Sequence, residues 1–303
     1  MSAFKSRTTP LMAIGICMTL LACNVSVMAS GDEPCDQPSD KAVVELSFDG
    51  LGEPEFNLTL FSQEPTPGQD TPLGEGQDDP EDAAAASNPL SSTSNLDFRV
   101  DYFGLGSKDR YDFNIRGGTM LHPRVKLAFE VHYWSTNITG TTNDNWERLV
   151  LRPIYFVKDA KLNETWKMRI ATGVEFSFDA DNTDEGIGSG SDQIAPLFGI
   201  AFNNSESKLT LIPFVQQFLS IDGPNVNITA FRLIALQPLP DAMWLRLDAK
   251  LPFDWTHDTV PASFEVELGK MLGGWGVFGT GFFGIGGDRL YDWGVGVGLR
   301  FTF

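Results

Sequence analysis

Enzymatic acid–base or nucleophilic chemistry would have to draw on three histidines, His122, His132 and His257. His132 lies three residues before Ser135, and a His–Ser pair near a strand end is the arrangement that a barrel lipid hydrolase would use. The spacing matches no acylhydrolase motif, and no third group is placed to orient the histidine. No catalytic residue is assigned. Cysteines and histidines nowhere fall at metal-ligand spacing, and no glycine-rich phosphate loop precedes a helix. The stretch Asp179 to Asp192 is rich in Asp and Gly and could hold calcium weakly. It lacks the regular acidic spacing of a dedicated loop, so it is read as a solvated connection. Neither a metal nor a cofactor is expected.

The charges themselves are the better candidates. They recur at every second position within short segments: Asp97, Arg99 and Asp101; Asp112 and Arg116; Lys126 and Glu130; Arg148 and Arg152; Lys167, Arg169 and Glu175; Arg246, Asp248 and Lys250; Glu265 and Glu267; and Arg300. Between them stand apolar residues. Val125, Leu127, Phe129, Val131 and Tyr133 share one face against Lys126, Glu130 and His132. Leu245, Leu247, Ala249, Leu251 and Phe253 oppose Arg246, Asp248 and Lys250. A period of two is that of a β-strand, and segments of about ten residues with this pattern suit strands with one face in lipid and the other in a polar lumen. The charges then form either cross-lumen structural networks or rings that select permeating solutes. Both signs occur in similar numbers, so strong ion selectivity is not expected.

The pattern predicts twelve strands, near 94–103, 110–118, 123–134, 145–157, 164–178, 192–202, 208–220, 225–236, 242–253, 259–271, 274–284 and 291–303. An even number suits a closed single-chain bacterial barrel. The seventh, eighth and eleventh, 208–220, 225–236 and 274–284, alternate poorly, so their boundaries are the least defined. Long polar connections at Ser135 to Asp144 and Asp179 to Ser191 alternate with short ones, as outer loops do with periplasmic turns. Trp293, Val295, Val297, Leu299, Phe301 and Phe303 occupy every second position to the last residue. Such a strand ending on an aromatic residue resembles the signal read by the barrel assembly machinery of bacterial outer membranes. Trp275, Tyr291 and Trp293 are expected in interfacial aromatic girdles.

Composition agrees. The one long apolar run, Leu11 to Ala22, is too short for a spanning helix, which needs about 20 residues. With Lys5 and Arg7 before it and Val27-Met28-Ala29 after it, the run reads as a secretory signal. A lipoprotein signal with Cys23 as the lipidated residue is the alternative. Residues 30 to 87 carry fifteen acidic residues against Lys41 alone, with Pro and Gly between them. This segment reads as an acidic periplasmic linker, with Val43 to Phe48 as one island able to form a strand. The three cysteines, Cys17, Cys23 and Cys35, all precede residue 36, so no disulfide framework is expected. A net charge of −18 argues against nucleic acid as a partner.

From about Asn88 onward the chain resembles a bacterial family of outer-membrane channels assigned to a phenol-degradation pathway. The residues that carry the resemblance are Asn88-Pro89-Leu90-Ser91, Gln193-Ile194-Ala195-Pro196, Pro213-Phe214-Val215-Gln216-Gln217, Asn227-Ile228-Thr229, Asp254-Trp255, Val260-Pro261 and Gly269-Lys270. Each motif is short, and the acidic segment lies outside them. The resemblance implies an outer-membrane pore for small, aromatic or hydrophobic solutes. The sequence therefore leads to an all-β, antiparallel transmembrane barrel at 88–303 in the outer membrane, with membrane lipids, the assembly machinery and small solutes as partners. A passive channel is the favoured function. A non-conducting structural or adhesive barrel is the alternative, with a barrel lipid hydrolase behind it.

Overall fold

The computed structural model describes residues 84–303. The expected signal peptide, the island Val43 to Phe48 and nearly all of the expected linker lie outside the described residues. Twelve strands follow in chain order: β1 (Asn95–Leu105), β2 (Lys108–His122), β3 (Val125–Thr136), β4 (Asn143–Lys161), β5 (Trp166–Asp179), β6 (Asp192–Asn204), β7 (Thr210–Asp222), β8 (Asn227–Leu239), β9 (Met243–Asp254), β10 (Ser263–Met271), β11 (Trp275–Gly284) and β12 (Trp293–Thr302). Each pairs antiparallel with the next, and β1 pairs with β12 from Asn95↔Thr302 to Gly104↔Trp293, so the sheet closes on itself. The alternating segments of the sequence are the strands of this barrel.

Where boundaries differ from expectation the causes are local. The tenth strand begins at Ser263 rather than 259, because Thr259 bridges back to Asp254 and Pro261 has no N–H to give a ladder. The fourth reaches from Asn143 to Lys161, and two bulges interrupt its register. Glu147 is the extra residue opposite His132 and Tyr133, and Val157 is the extra residue opposite Ala171 and Ile170.

The connections sort by end. At one end the turns are 123–124, 162–165, 205–209, 240–242 and 272–274; at the other the connections include 137–142, 180–191, 255–262 and 285–292. We call these the turn end and the loop end; in barrels of this type short turns face the periplasm. The 137–142 connection is shorter than its expected span, since its flanking strands extend to Thr136 and from Asn143. The 180–191 loop turns through Gly186, Gly188 and Gly190 at φ of 76°, 77° and 67°, a left-handed backbone that side chains disfavour. The Asp179 carboxylate accepts hydrogen bonds from the backbone N–H groups of Asp181 at 2.9 Å and Ser189 at 2.7 Å, so it ties down the loop itself. In the 285–292 loop, Asp292 accepts from Arg289 at 2.6 Å and from the Gly106 N–H at 2.9 Å, and both hold its carboxyl below the usual range.

The exterior is an apolar belt. Phe98, Val100, Phe113, Ile115, Phe231, Leu233, Val295 and Val297 all face outward and exposed, Val297 at 67%. Large aliphatic side chains in a continuous exposed band require hydrocarbon around them rather than water. Aromatic rings thicken toward the loop end. Trp293, Tyr102 and Tyr111 pack in a row at 5.4 and 5.1 Å, Tyr133 meets Trp146 at 5.3 Å, and Phe253 stacks on Trp255 at 6.1 Å. Neighbouring strands bring Trp293, Tyr102 and Tyr111, and Tyr133 and Trp146, side by side, while Phe253 and Trp255 follow each other at the end of β9. Trp275 and Trp293 are on the outer face as expected, but Tyr291 is not. It turns in and packs on Phe103 at 4.9 Å, because it belongs to the loop before β12 and not to the strand's alternation. A closed barrel with this exterior is a transmembrane β-barrel of the bacterial outer membrane.

Leu245 and Leu247 lie on the outer face, while Arg246 and Asp248 are buried within. Leu247→Arg should therefore cost about 2–4 kcal/mol if the position is near mid-bilayer. Urea titration of barrels folded into vesicles would measure it. Reaction of a water-soluble thiol reagent with a cysteine at 247 but not at 246 would reverse the facing. Phe301 and the residues beside it complete the β1 and β11 ladders, so deleting Phe301 to Phe303 should abolish the heat-modifiable barrel and lead to periplasmic degradation.

Candidate functional site: the barrel lumen

Every second side chain of each strand points into a bore that only twelve strands enclose. Charges taken there lose water and must find each other. Most of the candidate residues of the sequence do so in one connected network. Arg300 grips Asp97 with two nitrogens, Nε at 2.9 Å and Nη2 at 2.6 Å. Arg99 reaches Asp101 at 3.4 Å, Glu267 at 3.5 Å and the Thr280 hydroxyl at 3.1 Å. Arg246 touches three acids, Asp248 at 2.5 Å, Glu267 at 3.2 Å and Glu265 at 3.3 Å, and Lys250 holds Glu265 from its other side. Across the bore, Arg152 bridges Glu130 at 3.1 Å and Glu175 at 2.6 Å, and Arg116 lies 3.6 Å from Glu130. Asp248 is 0% exposed and Glu267 1%, so these pairs are sealed from bulk water.

Two candidates sit apart from this network, at the turn-end mouth. Arg169 pairs with Asp159 at 2.7 Å, and Lys167 is exposed beside it. With Ser92, Lys161 and Asn203 they line a cavity of about 500 Å³. Arg148 lies toward the loop end and binds Glu147 at 2.5 Å.

Other lumen residues escaped the sequence pattern. Glu147 has outward parity, yet the β4 bulge turns it in, where it is 2% exposed. Arg232 binds Asp248 at 2.5 Å from β8, whose poor alternation hid its facing. Gln216 donates to Glu175 at 2.8 Å, and the Trp244 indole donates to Glu267 at 2.9 Å.

The poor alternation of β7, β8 and β11 has a physical cause. Their inward faces are apolar as well as their outward ones. Ile154, Phe156, Leu197, Ile212, Phe214, Ile234 and Leu236 point in and form a buried cluster at the turn end. The cluster does not line water, because the chain fills it. Residues 84–92 enter the lumen ahead of β1, and Leu90, 0% exposed, is the centre of the cluster. Ala84 packs with Trp244, Met271 and Phe278. The segment is held by its polar atoms too. The Ser87 hydroxyl donates to Glu267 at 2.9 Å and accepts from Arg300. Lys126 donates to the Ser91 and Thr93 carbonyls, both at 3.1 Å, and Arg169 to that of Leu90 at 3.4 Å. Glycine makes room for it: a Cβ at Gly199 would press on Leu90 and Phe214.

His132 is engaged, but not with Ser135. Its Nδ1 lies 3.0 Å from Asp112 and its Nε2 3.4 Å from Glu130. Ser135 has the opposite parity on the regular strand β3 and faces out. The pair considered for lipid hydrolysis is therefore split between the two faces of the wall.

Asp248 bridges Arg232 and Arg246, so Asp248→Ala would leave Arg232 without its carboxylate and take one of three from Arg246. Removing one partner of a buried pair costs about 3–5 kcal/mol. A lower urea midpoint for this variant, with native heat-modifiable mobility at low urea, is the expected result.

Neither a family model nor a curated protein matches the chain. Solved structures do. The NanC porin gives a TM-score of 0.52 at 12% identity, over 69% of this chain and 100% of its own. An outer-membrane channel from Pseudomonas putida F1 gives 0.50 at 9% identity, over 70% of this chain and 96% of its own. The outer membrane phospholipase A of Escherichia coli gives 0.42 at 14% identity, over 73% and 97%, a TM-score that carries no argument. At such identities the likeness is one of fold, and the fold is that of outer-membrane porins and channels.

Proposed function

We propose that the chain is an outer-membrane channel passing small solutes passively, narrowed at its turn end by residues 84–92. One observation carries the reading. The turn end is filled by a short segment of preceding chain, held by a few hydrogen bonds and one leucine, rather than by side chains of the barrel itself. A solid structural barrel needs no removable filling. Porins and channels among the structural neighbours are consistent with it. The resemblance to channels of a phenol-degradation pathway favours aromatic or hydrophobic solutes. In this reading residues 30–87 are an acidic periplasmic linker whose fifteen acids bias conduction electrostatically. No catalytic step is included, since both ring nitrogens of His132 are held by carboxylates.

The non-conducting barrel is favoured by a different observation, the burial of paired charges such as Asp248 and Glu267 across the bore. Planar-bilayer recordings decide between the two. Full-length protein should conduct weakly, and a variant lacking residues 30–92 severalfold more. The difference should be largest at low salt, because exposed charges are screened beyond about 8 Å at physiological ionic strength. Equal conductances would reduce the segment to a tether. Silence from both proteins would favour the structural barrel.

A further inference from the structure

Among the described residues one lumen arginine holds no carboxylate. Arg110 points inward from β2 near the loop end, where it pairs across the ladder with Phe103 and Thr136. Its guanidinium carbon lies 4.4 Å from the Phe103 ring centre and 4.1 Å from that of Trp134, so two aromatic faces enclose it. Its Nε and the Trp134 Nε1 are buried without a hydrogen-bond partner. Among the described residues the other lumen-facing arginines each hold an acid, as Arg99, Arg152 and Arg300 do. The nearest acids are already committed. Asp112 is taken by His132 at 3.0 Å, and Glu147 by Arg148 at 2.5 Å.

This arrangement has the chemistry of an anion site. A guanidinium withdrawn from water seeks an anion, and its planar fork fits a carboxylate through two parallel hydrogen bonds. Stacking fixes the plane of the fork, so little side-chain freedom is lost when an anion arrives. Its Nε is sealed, while the residue as a whole is only half-buried. The surroundings are aromatic. Phe282 and Tyr291 pack on Phe103, each at 4.9 Å with the rings tilted by 49° and 52°, and extend the aromatic surroundings beside the cation.

We infer that Arg110, stacked between Phe103 and Trp134, binds small organic carboxylates with a flat apolar body, aromatic acids being the simplest. The inference assigns a solute class to the channel of the preceding subsection and rests on that reading for its biological sense. Its test does not require conduction.

Equilibrium dialysis of the full chain in detergent micelles against radiolabelled benzoate would read the site directly. Acetate supplies the charge without the ring, and benzamide the ring without the charge. Each should compete at least tenfold more weakly than unlabelled benzoate. Arg110→Gln should lower benzoate affinity at least tenfold, while Arg110→Lys, which keeps the charge and loses the fork, should fall between. Heat-modifiable mobility reports folding of each variant; if Arg110→Gln does not fold, Arg110→Lys and the competition series decide. Benzoate uptake unchanged in Arg110→Gln belongs to the micelle and overturns the site, as does equal competition by benzamide. Benzoate binding by a barrel silent in bilayers would retain the site and remove the channel. Conduction without Arg110-dependent binding would do the reverse.

Discussion

Within hydrocarbon no water is available to a peptide group, so each N–H and C=O of a spanning strand must find its partner in the protein. An up-and-down sheet leaves two edges unpaired, and here the ladder from Asn95↔Thr302 to Gly104↔Trp293 removes both. That seam constrains much of the rest. It requires β12 to run in register almost to the end of the chain, which is why the apolar alternation continues to Phe301. It also shapes the interior. Gly294, Gly296 and Gly298 face inward on β12, and a Cβ at Gly296 would overlap the Asp101 carboxylate, one at Gly298 the Phe278 ring. Without side chains at those points, residues of β1 and β11 lean across the seam and meet the network behind it.

Closure creates the electrostatic problem that the lumen then solves. Alternate side chains of twelve strands converge in a bore too narrow to hydrate them all. A lone charge there would be costly, and the observed solution is sharing. Arg246 serves three carboxylates, Asp248 serves Arg232 and Arg246, and Glu267 receives Arg99, Arg246, Arg300 and the Trp244 indole. Such a network stiffens the wall, since no member can move without stranding another. The same pairing leaves little unanswered charge along the waist, in keeping with the mixed signs read from the sequence. The unanswered charge is at the loop end, on Arg110.

Much of this was legible in the sequence because lipid and lumen impose a strict period of two. Val125 to Tyr133 and Met243 to Asp254 alternate cleanly, and their facing follows from parity alone. Parity fails where the physics departs from it. The bulge at Glu147 shifts one residue inward, and no composition signal marks it. Ile212, Phe214, Ile234 and Leu236 look like lipid-facing residues because they are apolar, yet they face Leu90. A local pattern cannot report that a segment more than a hundred residues earlier will cover them. Tyr291 and Arg110 were missed for related reasons, the first lying outside a strand and the second just inside the end of one.

The covering segment is what makes the turn end a boundary that can change. Burying Leu90 is worth about 1.5–3 kcal/mol, and each hydrogen bond to Ser87, Leu90 or Ser91 about 0.5–1.5 kcal/mol more. The entropy of ordering residues 84–92 opposes these gains. The segment therefore rests on far fewer contacts than the strand ladders that hold the barrel itself closed. Lys126, Arg169 and Arg300 all have acceptors while the segment is in place, and Arg300 retains Asp97 and Arg169 retains Asp159 when it leaves. Lys126, held by the Ser91 and Thr93 carbonyls, loses the Ser91 acceptor. Withdrawal therefore leaves one ammonium partly to water at the mouth, and exposes an apolar patch on β6, β7 and β8. A ligand that binds the open lumen more tightly than the filled one shifts the chain toward the open state by its difference in affinity for the two.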